Sequence, residues 1–472
     1  MNKRILLINP DSTRRVYLET NVRAGTPILP TLGLATVAGA LKERGAEVRV
    51  IDLDLADVQG KNPTLELAAA VKKFRPDTAG ITSITPSWNR AREIARDVKK
   101  LSPDTYVVMG GVHASLFPAE TLEGGAVDAV AIGEADYTLC DILDADGAAG
   151  LPGAAILDGD ALKINNERRD PPDMDSLPVP AWELFDTSEY RMSRLTERRR
   201  PGGYIETSRG CPFNCIYCNK NTFGRRFRAK SPGRVIAEIE EMLNRYGFRE
   251  LHIVDDGFST DMDRAKEICE EIVRRGLHFP FNLFNGIRAD RVDGELCRLL
   301  KRAGCYQVAF GVESGSDRVL ESVSKGLTKD VIRRAVRMCR KAGLETFGFF
   351  MIALPEDTVK TVRETIDFAV ELDMTISKFD ISVPLPGTRM FEDYDRAGLI
   401  HTRDWSKYIF HRTDAPIFDH PNMSWKTIER LYHEAYRKTY LRPEYIMKRF
   451  VHGVRTGGLW YDVVYFFRSR WR

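Results

Sequence analysis

The sequence predicts an α/β protein: an N-terminal doubly wound parallel sheet, then a partial (β/α)6 barrel, then a mainly helical C-terminal extension. Two observations carry that expectation. Short apolar runs alternate with helical patterns in two separate blocks, as they do where parallel strands are joined by crossover helices. The 472 residues also exceed one ordinary domain, and a Gly-, Ala- and Pro-rich connector lies between the blocks. The expected division is 1–145, a connector 146–199, a barrel 200–400 and an extension 401–472.

In the first block, Ile5–Ile8 reads as a strand and Leu32–Arg44 as a helix stopped by Gly45. Val48–Leu53 follows as a strand, Leu65–Phe74 as a helix, Thr78–Ser83 as a strand and Asn89–Leu101 as a helix. Tyr106–Met109 and Val127–Ile132 complete the strands, before a helix starting near Asp136. Ligands of such sheets bind outside the carboxyl ends of the strands. Those ends carry Asn9-Pro10-Asp11, Thr82-Ser83, Gly110-Gly111-Val112-His113 and Gly133-Glu134. Adjacent glycines let a ligand approach backbone N–H groups, although glycines after strands are commonly plain turns.

The connector contains a hairpin at 155–162 with an Asp-Gly turn, then extended Pro-rich stretches anchored by Trp182 and Phe185. In the second block, Gly203–Thr207 begins six strands, the others being Glu250–Val254, Pro280–Asn285, Gln307–Gly311, Thr346–Ile352 and Lys378–Val383. The intervening helices are expected at 232–246, 263–276, 293–304, 328–343 and 359–372, with Pro232 at a favoured first position. Trp405, Tyr408, His411 and His420 lie in a loop-rich stretch suited to covering the barrel mouth, and residues 425–450 form one helical pattern. The aromatic and basic tail from Gly458 to Arg472 reads either as a helix packed on the domain or as an interfacial anchor.

Cys211, Cys215 and Cys218 gather three of the eight cysteines within eight residues. Thiolates so close point to a soft metal or an iron–sulfur cluster. Structural zinc wants a second cysteine pair, which does not follow, and cytosolic thiols stay reduced. Three ligands on a [4Fe–4S] cluster leave one iron open to an external chelator. Cys140, Cys269, Cys297, Cys305 and Cys339 stand singly in apolar patterns and read as core.

A hydrophobic content of 43% suits a globular protein, and a net charge of +3 argues neither for nor against any partner. The first apolar run is too short for a signal segment and no stretch reaches membrane-spanning length. A cytoplasmic protein without a nucleic-acid partner is expected.

The C-x3-C-x2-C spacing, with Tyr217 before its last cysteine, resembles the radical S-adenosylmethionine (SAM) superfamily. Pro30-Thr31-Leu32-Gly33-Leu34, the strand with Asp52, and Ala131-Ile132-Gly133-Glu134 resemble the Rossmann-like cobalamin (B12)-binding domain fused to one branch of it. The resemblance implies a [4Fe–4S] cluster on the three cysteines, SAM on its open iron, cobalamin in the first domain, and a flavodoxin or ferredoxin as electron donor. It implies SAM contacts from Tyr217, from Asp255 and Asp256 (otherwise a plain turn), and from Glu313 and Ser314. A bare carboxylate leaving the fourth barrel strand at Glu313 would be costly, and a ribose hydroxyl pair would satisfy it. Arg288 reads equally as a SAM-carboxylate or substrate-anion contact and as a cap or interdomain ion pair.

Cobalamin contacts are implied for Asn9, Thr82, Ser83, Gly110, Gly111, His113, Gly133 and Glu134. Asp11-Ser12-Thr13-Arg14 stands where modules with an axial histidine have D-x-H-x-x-G, so no histidine ligand is expected, and His113 reads as a loop residue at the ligand mouth. Ala353 and Glu356 replace the two glycines of the family's Gly-x-Pro-Gly turn.

The expected reaction is methylation of an unactivated carbon in a small or lipid-like substrate; read as an interfacial anchor and not as a packed helix, the tail would give peripheral contact to the inner membrane face. A ring-forming or rearranging enzyme of the same branch is the second reading. A non-catalytic cobalamin sensor or carrier is the third, and the intact cysteine triad speaks against it.

Overall fold

The computed structural model describes residues 3–14, 28–165, 172–193, 196–410, 416–460 and 463–464. Strands β1 (Arg4–Asn9), β2 (Glu47–Asp52), β3 (Thr78–Thr82), β4 (Tyr106–Gly110) and β5 (Ala129–Ala131) are parallel, in the order β2-β1-β3-β4-β5. The order reverses between β1 and β3, which opens a crevice at their carboxyl ends. β2 stops where the Asp52 carboxylate accepts from the Asp54 and Leu55 N–H groups at 3.1 Å, starting a short helix Leu53–Val58 that periodicity did not reveal. The foreseen hairpin, β6 (Ala154–Asp158) and β7 (Ala161–Ile164), adds antiparallel to β5. It therefore belongs to the first sheet and not to the connector.

The connector lies on the helix Leu32–Glu43: the Ala181 N–H donates to the Ala35 carbonyl at 2.9 Å, and a Cβ at Gly39 would meet the Val179 carbonyl. Trp182, 1% exposed, packs edge-on against Phe185 and against Phe248 of the second block, so it anchors the connector as expected. Arg168, Arg169, Asp170 and Pro171 lie outside the described residues.

Strands β8 (Gly202–Ile205), β11 (Glu250–Ile253), β12 (Phe281–Ile287), β13 (Cys305–Glu313), β14 (Glu345–Ile352) and β15 (Ile376–Ile381) form a second parallel sheet of six. Between β8 and β11 sits an unforeseen two-residue ribbon, β9 (Ser208–Arg209) with β10 (Arg228–Ala229). The helical stretch 425–450 is two helices, Trp425–Tyr440 and Pro443–Thr456. Pro443 lacks the N–H that would continue the first and sits in the opening turn of the second.

Candidate functional site: a cysteine loop facing a Rossmann-like crevice

The loop leaving β8 is held from below before it reaches the cysteines. Asp255, at the end of β11, is buried. It accepts from the Thr207 N–H (2.6 Å), the Thr207 hydroxyl (2.5 Å) and the Ser208 hydroxyl (2.6 Å). The exposed Asp256 accepts from the Gly210 N–H at 3.1 Å. Gly210 has φ of +80°, and a Cβ there would strike the Arg226 carbonyl, so only glycine fits this turn. Further along, the Ile216 N–H donates to the Val323 carbonyl at 3.2 Å, and the Met390 N–H donates to the Ile216 carbonyl at 3.0 Å.

All three loop cysteines are free thiols, and Cys218 is exposed. Among the described residues no three His, Cys, Asp or Glu side chains converge on a single ion. Three cysteines on one loop suit a cluster in which each takes a different iron. Burial opposes the Lys220 ammonium, yet the Cys218 and Cys211 sulfurs hold it above the ordinary lysine value. A cation is thus built beside the thiolate set. The Tyr217 hydroxyl is buried, and its phenol is held well above the ordinary range, first by burial, then by Glu313 and by the neighbouring Cys215 sulfur. A phenol thus stands beside both the cysteines and Glu313, and this arrangement fits a cluster with a bound chelator.

Glu313 takes a left-handed φ of +63° at the end of β13, rare for a residue with a Cβ. Its carboxylate folds back over Gly311, where a Cβ would meet Glu313 Oε1 at 2.5 Å and Lys325 Nζ at 2.8 Å. Lys325 pairs with Glu313 at 2.7 Å, so the carboxylate is not bare. The expected reason for a ribose partner is thereby corrected: the lysine already neutralises the charge. The Ser314 hydroxyl lies 3.2 Å from that of Thr365 and accepts from the Ser316 N–H at 3.1 Å.

Arg288 makes an ion pair with Asp290 at 3.0 Å, donates to the Lys325 carbonyl at 2.8 Å and stacks over the Phe213 ring at 3.5 Å. It braces the cysteine loop locally, and among the described residues its partners all belong to the second domain. Ala353 keeps the left-handed turn with φ of +69° despite replacing a glycine.

In the first domain a cavity of about 320 Å³ opens at the crevice. Thr82, Gly110, Gly111, Gly133 and Glu134 line it, as do Gly80 and Thr36, which sequence reasoning passed over. A glycine inside a strand, such as Gly80, was the available clue to close approach. Gly111 has φ of +94°, and a Cβ would collide with the Ser83 carbonyl.

The cavity's far wall comes from the second domain: Glu206, Arg209, Thr222 and Phe223 of the cysteine loop. Arg209 is 3% exposed and binds Glu134 at 2.7 Å, Asp136 at 2.7 Å and Glu206 at 2.6 Å, with its guanidinium 5.0 Å over Phe223. Arg228, its neighbour across the ribbon, also pairs with Glu134. Glu134 is therefore an interdomain acceptor for two arginines. Glu206 is pushed up to about 7, chiefly by burial.

Asn9, Ser83 and His113 do not line this cavity. Asn9 donates to Asp52 at 2.9 Å, and the Ser83 hydroxyl donates to the Gly110 carbonyl at 3.1 Å. His113 is fully buried among Trp88, Phe117 and Trp405, with ring centroids 4.9–5.1 Å away, and burial lowers it to about 4. It is a neutral histidine buried in the aromatic core. Trp405 thus packs on the first domain. The Tyr408 hydroxyl donates to the Thr402 carbonyl, and His420 contacts the Leu354 carbonyl at 2.9 Å. His411 lies outside the described residues.

Comparison with known proteins agrees with this geometry. The B12 binding domain model matches residues 21–143, and the Radical SAM superfamily model matches 205–369. An uncharacterized methyltransferase of Pyrococcus horikoshii is 34% identical over 427 residues, 89% of each chain. The anaerobic magnesium-protoporphyrin IX monomethyl ester cyclase of Cereibacter sphaeroides is 27% identical over 412 residues, 84% of this chain and 66% of that one. The radical SAM methyltransferase TsrM of Kitasatospora setae, solved with cobalamin and a [4Fe–4S] cluster, superposes with a TM-score of 0.70. Its identity is 21%, over 94% of this chain and 90% of that one, which speaks for the fold.

Proposed function

The chain belongs to the radical SAM enzymes that carry a B12-binding domain, and on that premise we propose that it methylates an unactivated carbon of a small or lipid-like substrate. One observation carries the proposal: the crevice of the first domain is walled by the cysteine loop of the second. Two cofactor sites that share a wall suit a reaction needing both at one carbon. When bound, the cluster supplies the electron that cleaves SAM, and cobalamin supplies the methyl group.

In this reading Cys211, Cys215 and Cys218 hold the cluster, while Tyr217, Glu313 and Ser314 border SAM. Thr82, Gly110, Gly111 and Gly133 border the corrinoid. Asp255, Asp256 and Arg288 act one step back, by fixing the loop that carries the cysteines. Phe347, Phe349, Ala309 and Ile376 form a small apolar cluster apart from the main core, on the strand face opposite Phe350 and Ile352. An electron donor of the flavodoxin or ferredoxin kind completes the scheme.

Ring formation is the second reading, favoured by the cyclase among the relatives. The test is anaerobic reconstitution with iron, sulfide and hydroxocobalamin, then turnover of SAM under reductant. Methylation requires SAM to remethylate the corrinoid, so S-adenosylhomocysteine should accumulate with 5′-deoxyadenosine. 5′-Deoxyadenosine alone would sink methylation in favour of ring formation. Cys215→Ala should abolish the broad iron–sulfur absorbance and leave the corrinoid bands; a surviving cluster signal would refute the ligand assignment.

A further inference from the structure

We propose that the helix Pro443–Thr456 docks the enzyme on a bilayer surface carrying anionic headgroups. This helix has its faces reversed relative to an ordinary surface helix, which buries its apolar stripe. The side against the barrel is polar: the Tyr445 hydroxyl donates to the Thr375 carbonyl at 2.8 Å, Lys448 pairs with Asp373, and His452 lies 3.9 Å from Glu345. The side away from the protein carries Ile446, Met447, Phe450, Val451 and Val454, each between 40 and 63% exposed. These positions recur at the three- and four-residue spacing of one helix face. Trp460, 77% exposed, extends the apolar surface past the end of the helix. A contiguous apolar face of this kind marks an interaction site.

Charge decides the occupant. Six of the last thirty residues are Lys or Arg and two are acidic. A second copy docking through the same face would bring two basic segments together, whereas an anionic bilayer attracts them while it buries the apolar face. Among the described residues no helix is long and apolar enough to cross a membrane, so the contact lies on the surface. The inference stands apart from the reaction assigned above.

The test is co-sedimentation of the full-length reconstituted protein with vesicles of pure phosphatidylcholine or of three parts phosphatidylcholine to one of phosphatidylglycerol. Binding should favour the anionic vesicles and weaken with salt. The Met447→Glu/Phe450→Glu double variant should bind about tenfold less tightly or weaker, while iron–sulfur absorbance stays at the wild-type level. Absence of wild-type binding, equal binding to both vesicles, or unimpaired binding of the variant would each overturn the proposal. So would light scattering showing a dimer that the double substitution dissolves, because the face would then belong to a second copy.

Discussion

Glu134, Asp136 and Glu206 meet Arg209 and Arg228 where the two domains face each other. Three carboxylates against two guanidiniums leave one negative charge in excess, in a place where burial disfavours it. Glu206 answers by titrating near 7 instead of near 4.5. A carboxyl raised on folding binds its proton more tightly in the folded state. Its contribution is fully present below about pH 4.5 and is lost as pH rises through about 7. Glu206→Gln should therefore match the wild type in chemical denaturation at pH 5 and exceed it at pH 8, by about 3 kcal/mol at most. A constant difference at both pH values would show that Glu206 keeps its charge. Glu134 lines the crevice, but its partners could not be read from the sequence, because Arg209 and Arg228 come from another domain.

At the scale of elements, periodicity was enough for nearly every strand of both sheets, since their near-continuous apolar runs sit between well-marked helices. The cysteine motif was equally legible, because three ligands on one loop are a local pattern. What could not be read was how that loop is held. Asp255, expected at the SAM site, accepts three hydrogen bonds from the loop and joins the ends of two adjacent strands. That role depends on β8 and β11 being neighbours, which spacing does not reveal. Asp255→Ala would leave three buried donors without an acceptor, a loss of about 2–4 kcal/mol, and should lower iron bound per chain after reconstitution. Asp256→Ala, which removes one exposed hydrogen bond, should retain near-normal iron. Equal iron content in the two variants would mean that Asp255 does not position the cysteines.

Across the whole molecule, three ties bring the crevice of the first domain onto the cysteine loop. Arg209 and Arg228 reach back to Glu134, and Trp405 stacks on Phe117 and meets His113. At the third tie, Gly387, after β15, comes so close to Leu116 and Asn221 that a Cβ would meet both. Each tie joins residues far apart in the chain, which is why the sequence revealed two domains but not the surface between them. Arg209 is the one tie that also lines the cavity. Arg209→Gln would leave Asp136 and Glu206 buried without their cation, at a cost of about 3–5 kcal/mol, and would loosen the wall of the crevice. The cysteines are anchored separately, through Asp255 and Asp256. The variant should thus lose corrinoid absorbance on desalting while keeping its iron–sulfur absorbance, the reverse of Cys215→Ala. Loss of both cofactors together would make Arg209 a residue of general stability, whereas retention of corrinoid at the wild-type level would show that the shared wall does not hold it.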